Sequence, residues 1–362
     1  MIIIHDKLLE YGGAEHVLLE LIRGLKPKYI FVPCVDDIEK WETYYSCKIK
    51  TLKIFSWIDN QKKYRIFYPV LAIYLMIFAL TEEADTLKLY YSSSLGKFVR
   101  FKSSGPKLLF SNFPFKGVLK AKDYLKGASA LKRLTILFLI PAMKWLEKCA
   151  LKKFDRISVI SSDAKLAYEK DFKMHIETII HCPVDVDKLC AILNKKRSEF
   201  KHALVICRLY EEKGVGELLD IMNELEDIHT TVIGDGPKIH KFIQQYPNVS
   251  FKGFVTNDEK LSLLQESDFL INPTAQEWSL TTVEANCAGI PVVSAECNAI
   301  GEINECITGV LSRPNITYFM EKGSFEDALK KLKTMSVQER SAALAYFSPQ
   351  QFIIRIKDFI NG

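Results

Sequence analysis

The chain has 362 residues, of which 48% are hydrophobic and 26% charged, a globular composition with room for two domains. With 17 Gly and 13 Pro residues, collagen-like and low-complexity chains are excluded, and nine cysteines without a C-x-x-C pair argue against a disulfide framework or zinc ribbon. The formal net charge is +5, and the charge is unevenly distributed along the chain. Residues 1–200 hold 34 Lys and Arg against 22 Asp and Glu, whereas residues 201–362 hold 15 Lys and Arg against 22 Asp and Glu.

The first half alternates between apolar strands and helices. The N-terminal apolar run is too short for a signal peptide, so we interpret it as a buried strand. Predicted strands cover residues 2–4, 29–32, 87–91, 108–111 and 157–160, and a predicted helix covers 14–25. This βα pattern indicates a mostly parallel sheet.

A second βα series follows a linker at residues 181–187. Its predicted strands are 203–207, 230–233, 269–272 and 291–293, and its helices are 215–225, 237–245, 258–266 and 281–288. A last helix at 349–360 is expected to pack back onto the first domain. We therefore predict an α/β chain with Rossmann-like domains at 1–182 and 183–348, facing each other across a cleft, and a C-terminal helix within 349–362.

The basic half also carries two apolar runs. Residues 66–81 are uncharged, yet a helix of that length spans only about 24 Å against about 30 Å of hydrocarbon. Residues 134–143 are flanked by lysines, within a stretch, 101–156, that holds 13 Lys and Arg against 3 Asp and Glu. This pattern favours an anionic membrane surface over nucleic acid, for which no binding motif is present, although a merely solvated basic surface is the alternative.

Three turns that follow predicted strands contain residues that could bind a phosphate group. Gly12 and Gly13 precede the first helix, where free N–H groups suit a phosphate, although such a pair is often only a turn. Arg208 and Lys213 follow a strand of the second half and can converge on one anion. Gly234 opens a Gly-Asp-Gly-Pro turn with tight backbone geometry.

The segment PTAQEWSLTTVEANCAGIPVV is the most specific of the candidate ligand-binding motifs. It places Glu277 on a loop and Glu284 in the first turns of a helix. A carboxylate there can accept hydrogen bonds from a ribose diol, or merely cap the helix. The helix N-terminus offers phosphate-binding N–H groups. The candidate donors are Ser279, Leu280 and Thr281.

In this order, the motifs resemble those of the retaining GT-B glycosyltransferases of family 4. The likeness covers nearly the whole chain, including YYSSS and CPVDVDK, and HDKLLEYGGAEHVL is similar to the opening of bacterial mannosyltransferases that build O-antigen. The resemblance implies that Arg208 and Lys213 stabilise a departing diphosphate and that Glu284 holds the ribose. It further implies contacts of Glu277 with the donor sugar, of Gly13 with the diphosphate and of Val255 with the base.

The chain departs from the family at three places, the first being Asn298-Ala299, where the family has a glycine pair before Glu302. Six residues separate Glu277 from Glu284 where the family has seven, so Gln276 is the alternative for the first acidic position. Asn112 stands where the family has a histidine on the acceptor side. Asparagine can donate to a sugar hydroxyl but cannot act as an acid or base.

The resemblance implies a hexosyltransferase that uses a nucleotide-sugar, with GDP-mannose favoured, and a polyprenyl-linked saccharide acceptor in surface polysaccharide biosynthesis. Such an enzyme is expected in the cytoplasm, peripherally bound to the inner face of the plasma membrane. No metal or other cofactor is expected, because no paired histidines or other evident metal-binding cluster occurs in the sequence. The alternatives are a catalytically silent GT-B module that binds a membrane or partner, and a GT-B epimerase.

Overall fold

The computed structural model forms two compact units. One comprises Met1–Cys182 with Phe352–Gly362, and the other comprises Pro183–Gln351. The described residues are 1–80, 86–92, 94–102, 104–114, 130–192, 199–209, 215–225, 227–236, 238–273, 278–295, 298–308, 316–319, 322–333 and 335–362.

A parallel seven-stranded sheet forms the centre of the first unit, in the order β3-β2-β1-β5-β7-β8-β9. Its strands are β1 Ile2–His5, β2 Ile30–Phe31, β3 Ile49–Lys50, β5 Lys88–Tyr91, β7 Lys107–Ser111, β8 Arg156–Val159 and β9 Thr178–Ile179. A separate parallel pair consists of β4 Ala79–Leu80 and β6 Arg100–Phe101. The central strands are largely apolar and buried, as expected for a parallel sheet covered by helices on both faces.

Three helices of the first unit begin at polar caps. Asp37, Asn60 and Ser161 each accept a hydrogen bond from a backbone N–H of the following helix. The helices are α1 Gly13–Leu25, α2 Ile38–Tyr45, α3 Gln61–Ile77, α4 Ala130–Leu151 and α5 Ser162–Ala167, which continues into a π-helical turn at Tyr168–Phe172. Two 3₁₀ helices lie at Lys53–Phe55 and Leu95–Phe98.

The second unit contains a parallel six-stranded sheet in the order β12-β11-β10-β13-β14-β15. Its strands are β10 His202–Ile206, β11 His229–Ile233, β12 Ser250–Gly253, β13 Phe269–Asn272, β14 Val292–Ala295 and β15 Ile316–Phe319. Its helices are α6 Val186–Cys190, α7 Val215–Asn223, α8 Ile239–Gln245, α9 Asn257–Glu266, α10 Leu280–Cys287, α11 Asn298–Thr308, α12 Lys322–Lys331 and α13 Val337–Tyr346.

A last helix, α14 Pro349–Asn361, contributes its residues from Phe352 onward to the first unit. The Phe352 ring lies 5.8 Å from that of Phe110 under the sheet, and Arg156 Nη2 donates to the Ile360 carbonyl at 2.7 Å. Ile353 packs over Gly24, where a Cβ would come within 2.4 Å of the isoleucine. Glycine therefore permits the close contact between α1 and α14.

Both sheets have the Rossmann strand order, which confirms the predicted α/β class. In each sheet the order in which successive strands are added changes sides between two central parallel strands, β1 and β5 in the first unit and β10 and β13 in the second. Ligands of open parallel sheets bind at the carboxyl ends of such strands.

The two apolar runs of the first half lie on helices. Residues 66–77 belong to α3, and residues 134–143 belong to α4, whose side chains are described only from Ile140 onward. Of the helices within the described ranges, none combines the length and apolarity that a membrane span requires. The eight cysteines of these ranges are free thiols.

Candidate functional site

The described residues that follow β10, β11 and β13 lie at the carboxyl edge of the second sheet. Arg208 lies two residues beyond β10, and Gly234 lies directly after β11. Ser279 follows β13 and begins α10. Because β10 and β13 flank the reversal of strand order, this edge is the expected ligand site of the unit.

Gly234 permits the close approach of the two loops. Its φ is +132°, and a Cβ on this residue would lie 1.9 Å from the carbonyl oxygen of Cys207. A hydrogen bond of 2.9 Å from the Leu209 N–H to the Asp235 carbonyl ties the same two loops together. These contacts fix the backbone on both sides of Arg208, whose side chain is exposed at the sheet edge.

The start of α10 is organised by Ser279. The Ser279 hydroxyl accepts a hydrogen bond of 3.2 Å from the Thr282 N–H and lies 3.0 Å from the Thr281 hydroxyl. Leu280 is the first helical residue. The first N–H groups of a helix lack intrahelical partners and carry its positive dipole end, so this terminus can hold a phosphate group.

Glu284 is paired with Lys260, which the sequence analysis missed. Lys260 Nζ on α9 lies 2.7 Å from Glu284 Oε1 on α10, and the side chains are 19% and 18% exposed. The pair is half-buried, so its attraction is screened less than that of a surface pair. The two residues are 24 positions apart, and no local pattern connects them.

Val255 and Phe254 follow β12, where the resemblance implies a nucleoside base. Val255 is half-buried and packs against the core, whereas the Phe254 side chain is 78% exposed. Thr256 and Glu259 form a capping box at the start of α9. The Thr256 backbone N–H and hydroxyl donate hydrogen bonds to Glu259, which lower the pKa of Glu259. The same hydrogen bonds fix the geometry of this loop at the start of α9.

The Gly12–Gly13 turn lies in the first unit, after β1. Gly12 caps α1 with extended φ, so the turn does not require a left-handed backbone. A Cβ on Gly12 would lie 3.2 Å from Glu15 Oε2, so a close contact with this carboxylate accounts for the glycine. Glu15 Oε1 is 3.9 Å from Nε2 of the buried His5, whose Nδ1 donates to the Tyr91 carbonyl at 2.9 Å.

A buried Asp6 side chain organises the segment YYSSS, which the sequence analysis left without a physical role. The Asp6 carboxylate accepts hydrogen bonds from the Ser92 hydroxyl, from the Ser94 N–H at 3.1 Å and from the Gly96 N–H at 2.8 Å. It therefore joins the ends of β1 and β5 and caps the 3₁₀ helix at Leu95–Phe98.

Asn112 follows β7 in the same unit and is half-buried. Burial raises the pKa of the neighbouring Tyr91 hydroxyl well above its ordinary value, and a hydrogen bond with the Asn112 side chain acts in the opposite direction.

A buried ion pair also lies in the first unit. The buried Lys97 pairs with the buried Glu147, and the Tyr168 hydroxyl lies 3.4 Å from Lys97 Nζ.

The predicted site residues thus fall into three groups. Arg208, Gly234, Val255, Ser279, Leu280, Thr281 and Glu284 lie at or near the carboxyl edge of the second sheet. Gly12, Gly13 and Asn112 belong to the first unit. Lys213, Gln276 and Glu277 lie outside the described residues.

Within the described part of the chain, no three or more His, Cys, Asp or Glu side chains form a group that could hold a metal ion. Metal independence stays a prediction.

Comparison with known proteins agrees with this architecture. Residues 201–332, which contain the β10, β11 and β13 loops, match the family described as glycosyl transferases group 1. No curated protein sequence matches the chain significantly.

Three solved structures are similar over the whole chain. Sucrose-phosphate synthase from Thermosynechococcus elongatus has a TM-score of 0.70 and 15% identity, covering 100% of this chain and 98% of its own. HepE from Anabaena, in complex with UDP, has a TM-score of 0.66 and 13% identity, covering 99% of both chains. The lipopolysaccharide outer core galactosyltransferase WaaB has a TM-score of 0.63 and 14% identity, again covering 99% of both.

These likenesses establish the fold as GT-B. The matched segment covers the candidate site of the second unit, and together with the fold it supports a glycosyltransferase of group 1 type.

Proposed function

We propose that the chain is a hexosyltransferase that binds the nucleotide-sugar donor at the carboxyl edge of the second sheet. The observation that carries the proposal is the convergence of Arg208, the Gly234 turn and the α10 N-terminus at one strand reversal. A cation and free N–H groups there suit a diphosphate, and Glu284 supplies a carboxylate for a ribose diol.

The proposed reaction retains the configuration at the anomeric carbon, as the family 4 resemblance implies. The bond between that carbon and the diphosphate oxygen breaks, and the acceptor oxygen bonds to the carbon on the same face. The acceptor's proton passes to the departing phosphate oxygen. Arg208 and Lys213 stabilise the negative charge that grows on the diphosphate, and Glu277, or Gln276, holds the sugar hydroxyls.

GDP-mannose is the proposed donor, because the opening of the chain resembles bacterial mannosyltransferases. HepE has been solved with UDP-glucose as well as UDP, so UDP-glucose is the appropriate competing donor in any assay. In this proposal Val255 and the exposed Phe254 ring contact the base and discriminate between the two nucleotides.

The proposed acceptor is a polyprenyl-linked saccharide, used in surface polysaccharide biosynthesis at the inner face of the plasma membrane. The support is the excess of 13 Lys and Arg over 3 Asp and Glu in residues 101–156. Lysines near anionic lipid would bring the first unit to a membrane-bound substrate. Asn112 would donate to an acceptor or donor hydroxyl.

A release assay tests the proposal. The protein is incubated with GDP-mannose, UDP-glucose and other sugar nucleotides, and free nucleotide is measured with and without polyprenyl-linked saccharide. We expect one donor to be turned over, and turnover to fall in the Arg208→Ala and Glu284→Ala variants. Donor binding without turnover by any donor would favour the catalytically silent module, which the shortened glutamate spacing and Asn112 also suggest.

A further inference from the structure

Helix α3 is apolar on two opposite faces. Its inner face packs into the core of the first unit through Tyr68, Leu71, Ala72 and Leu75. Its outer face carries a row of exposed apolar side chains at helical spacing, with exposures of 46 to 64%. This row, the α3 stripe, consists of Ile66, Val70, Ile73 and Ile77.

Neighbouring aromatic residues widen the stripe. The Trp57 ring, 46% exposed, packs edge-on against Phe67 of α3 with centroids 4.6 Å apart. Ile54 is exposed as well, and Phe78 extends the apolar surface at the C-terminal end of the helix. Of 17 large apolar side chains found exposed among the described residues, eight therefore fall within residues 54–78. A soluble surface rarely concentrates apolar area in this way without a binding partner.

Cations lie at both ends of the stripe. At its N-terminal end Lys63 Nζ bonds to the Trp57 carbonyl at 3.0 Å, and Lys53 and Lys62 are exposed nearby. At the other end Arg100 Nη1 bonds to the Met76 carbonyl at 2.7 Å. Residues 53–78 hold four Lys and Arg and one acidic residue, Asp59, which Lys63 neutralises at 2.9 Å. The next acidic residues along the chain, at positions 82, 83 and 85, lie outside the described residues.

We propose that the α3 stripe, with Trp57 and Phe67, docks the protein on an anionic lipid surface. The stripe runs about 17 Å along the helix, a length that suits a helix lying in the interface. Its apolar side chains would enter the acyl boundary, Trp57 would sit at headgroup level, and the flanking cations would meet the phosphates. This inference rests on the proposed function and deepens it, because it names the surface that would bring the enzyme to a lipid-linked acceptor.

Vesicle co-sedimentation of the full chain tests the docking surface. The probes are vesicles of phosphatidylcholine alone and of phosphatidylcholine with phosphatidylglycerol, at low and high salt. We expect binding to the anionic vesicles, reduced by salt, and a loss of at least about tenfold in the Val70→Asp/Ile73→Asp variant. The matched control is Ile243→Asp, which changes an exposed isoleucine of α8 with 47% exposure in the other unit and should leave vesicle binding unchanged.

Two further measurements separate the possible outcomes. Calorimetric binding of GDP and UDP to the Val70→Asp/Ile73→Asp variant should equal that of the unmodified protein, so failure at the donor site is distinguishable from failure at the stripe. Equal vesicle binding by both proteins would overturn the docking surface. A dimer in sedimentation equilibrium that the double substitution dissociates would also overturn it, because the occupant would then be a second copy of the chain.

Discussion

Lys260 Nζ on α9 and Glu284 Oε1 on α10 form a half-buried ion pair of 2.7 Å at the site proposed for the donor ribose. Each carboxylate oxygen can accept more than one hydrogen bond, so Glu284 can bind Lys260 and a ribose hydroxyl at once. Lys260 therefore holds the carboxylate in a defined orientation.

Lys260→Met should weaken donor binding about tenfold, since a hydrogen bond to a charged group contributes about 1.5–3 kcal/mol. Calorimetry with a ribonucleotide and its 2′,3′-dideoxy analogue measures this, and the variant should bind the analogue with nearly the same affinity as the unmodified protein. Lys188→Met, which removes the exposed pair with Asp258 at the start of α9, is the matched control. An equal loss for both nucleotides would assign Lys260 a merely electrostatic role.

Arg208→Ala should lower turnover by about 10²-fold or more, because the lost charge would face a diphosphate that becomes more negative in the transition state. The melting temperature should not change, since the Arg208 side chain is exposed. Lys201→Ala, before the amino end of β10, is the control. Similar turnover by both variants would remove Arg208 from the site.

Gly234→Ala should lower both stability and donor affinity, because the new Cβ would collide with the Cys207 carbonyl and force apart the loops after β10 and β11. Thermal unfolding and nucleotide titration measure the two effects. Gly216→Ala is the control, since among the described residues a Cβ there would meet only Phe242 Cε1, at 3.9 Å, on a helix that alanine favours. A Gly234→Ala protein as stable as this control would contradict the loop geometry.

Lys97→Met should cost about 3–5 kcal/mol of the free energy of unfolding, because it leaves the Glu147 carboxylate buried without its cation. The two side chains are 0% and 1% exposed. The double variant Lys97→Met/Glu147→Leu should recover much of that loss, since it removes both buried charges. Urea unfolding of the single and double variants tests this, and additive losses would show that the residues act independently.

The His5–Glu15 pair should make stability depend on pH. Burial lowers the pKa of His5, but the hydrogen bond to Glu15 and the charges of Asp6 and Glu15 outweigh it, so the folded-state pKa is above the ordinary 6.5. Protonated His5 therefore stabilises the fold fully below pH 6.5, and this contribution disappears as pH rises through the raised value. The difference in unfolding free energy between the unmodified protein and His5→Gln should shrink over that interval. A pH-independent difference would contradict the pairing.

The sequence predicts the central strands well because they are buried on both faces and consist of apolar runs. The two-residue strands β2, β3 and β9 lie at or towards the edge of the first sheet, and of these only β2 falls within a predicted strand. The Ser-Phe-Lys-Gly sequence of β12 has little apolar signal. Tertiary pairing, not local pattern, therefore defines these peripheral strands.

In the candidate site, too, local sequence patterns predict some residues, whereas tertiary pairing alone defines others. Arg208 and Gly234 are predictable because each follows a recognisable strand at the edge where parallel sheets bind ligands. Lys260 and Asp6 are not, because their partners lie 24 and up to 90 residues away along the chain. Charges that pair over such distances leave no periodic signature.

The assignment of Phe352–Gly362 to the first unit has a consequence for biosynthesis. A ribosome must translate all of residues 183–351 before the α14 residues that cover Phe110 and Gly24 become available. The second unit, though later in the sequence, thus has its complete set of packing partners earlier. Until α14 is synthesised, the apolar surface of the nascent first unit around Phe110 stays uncovered, which favours aggregation.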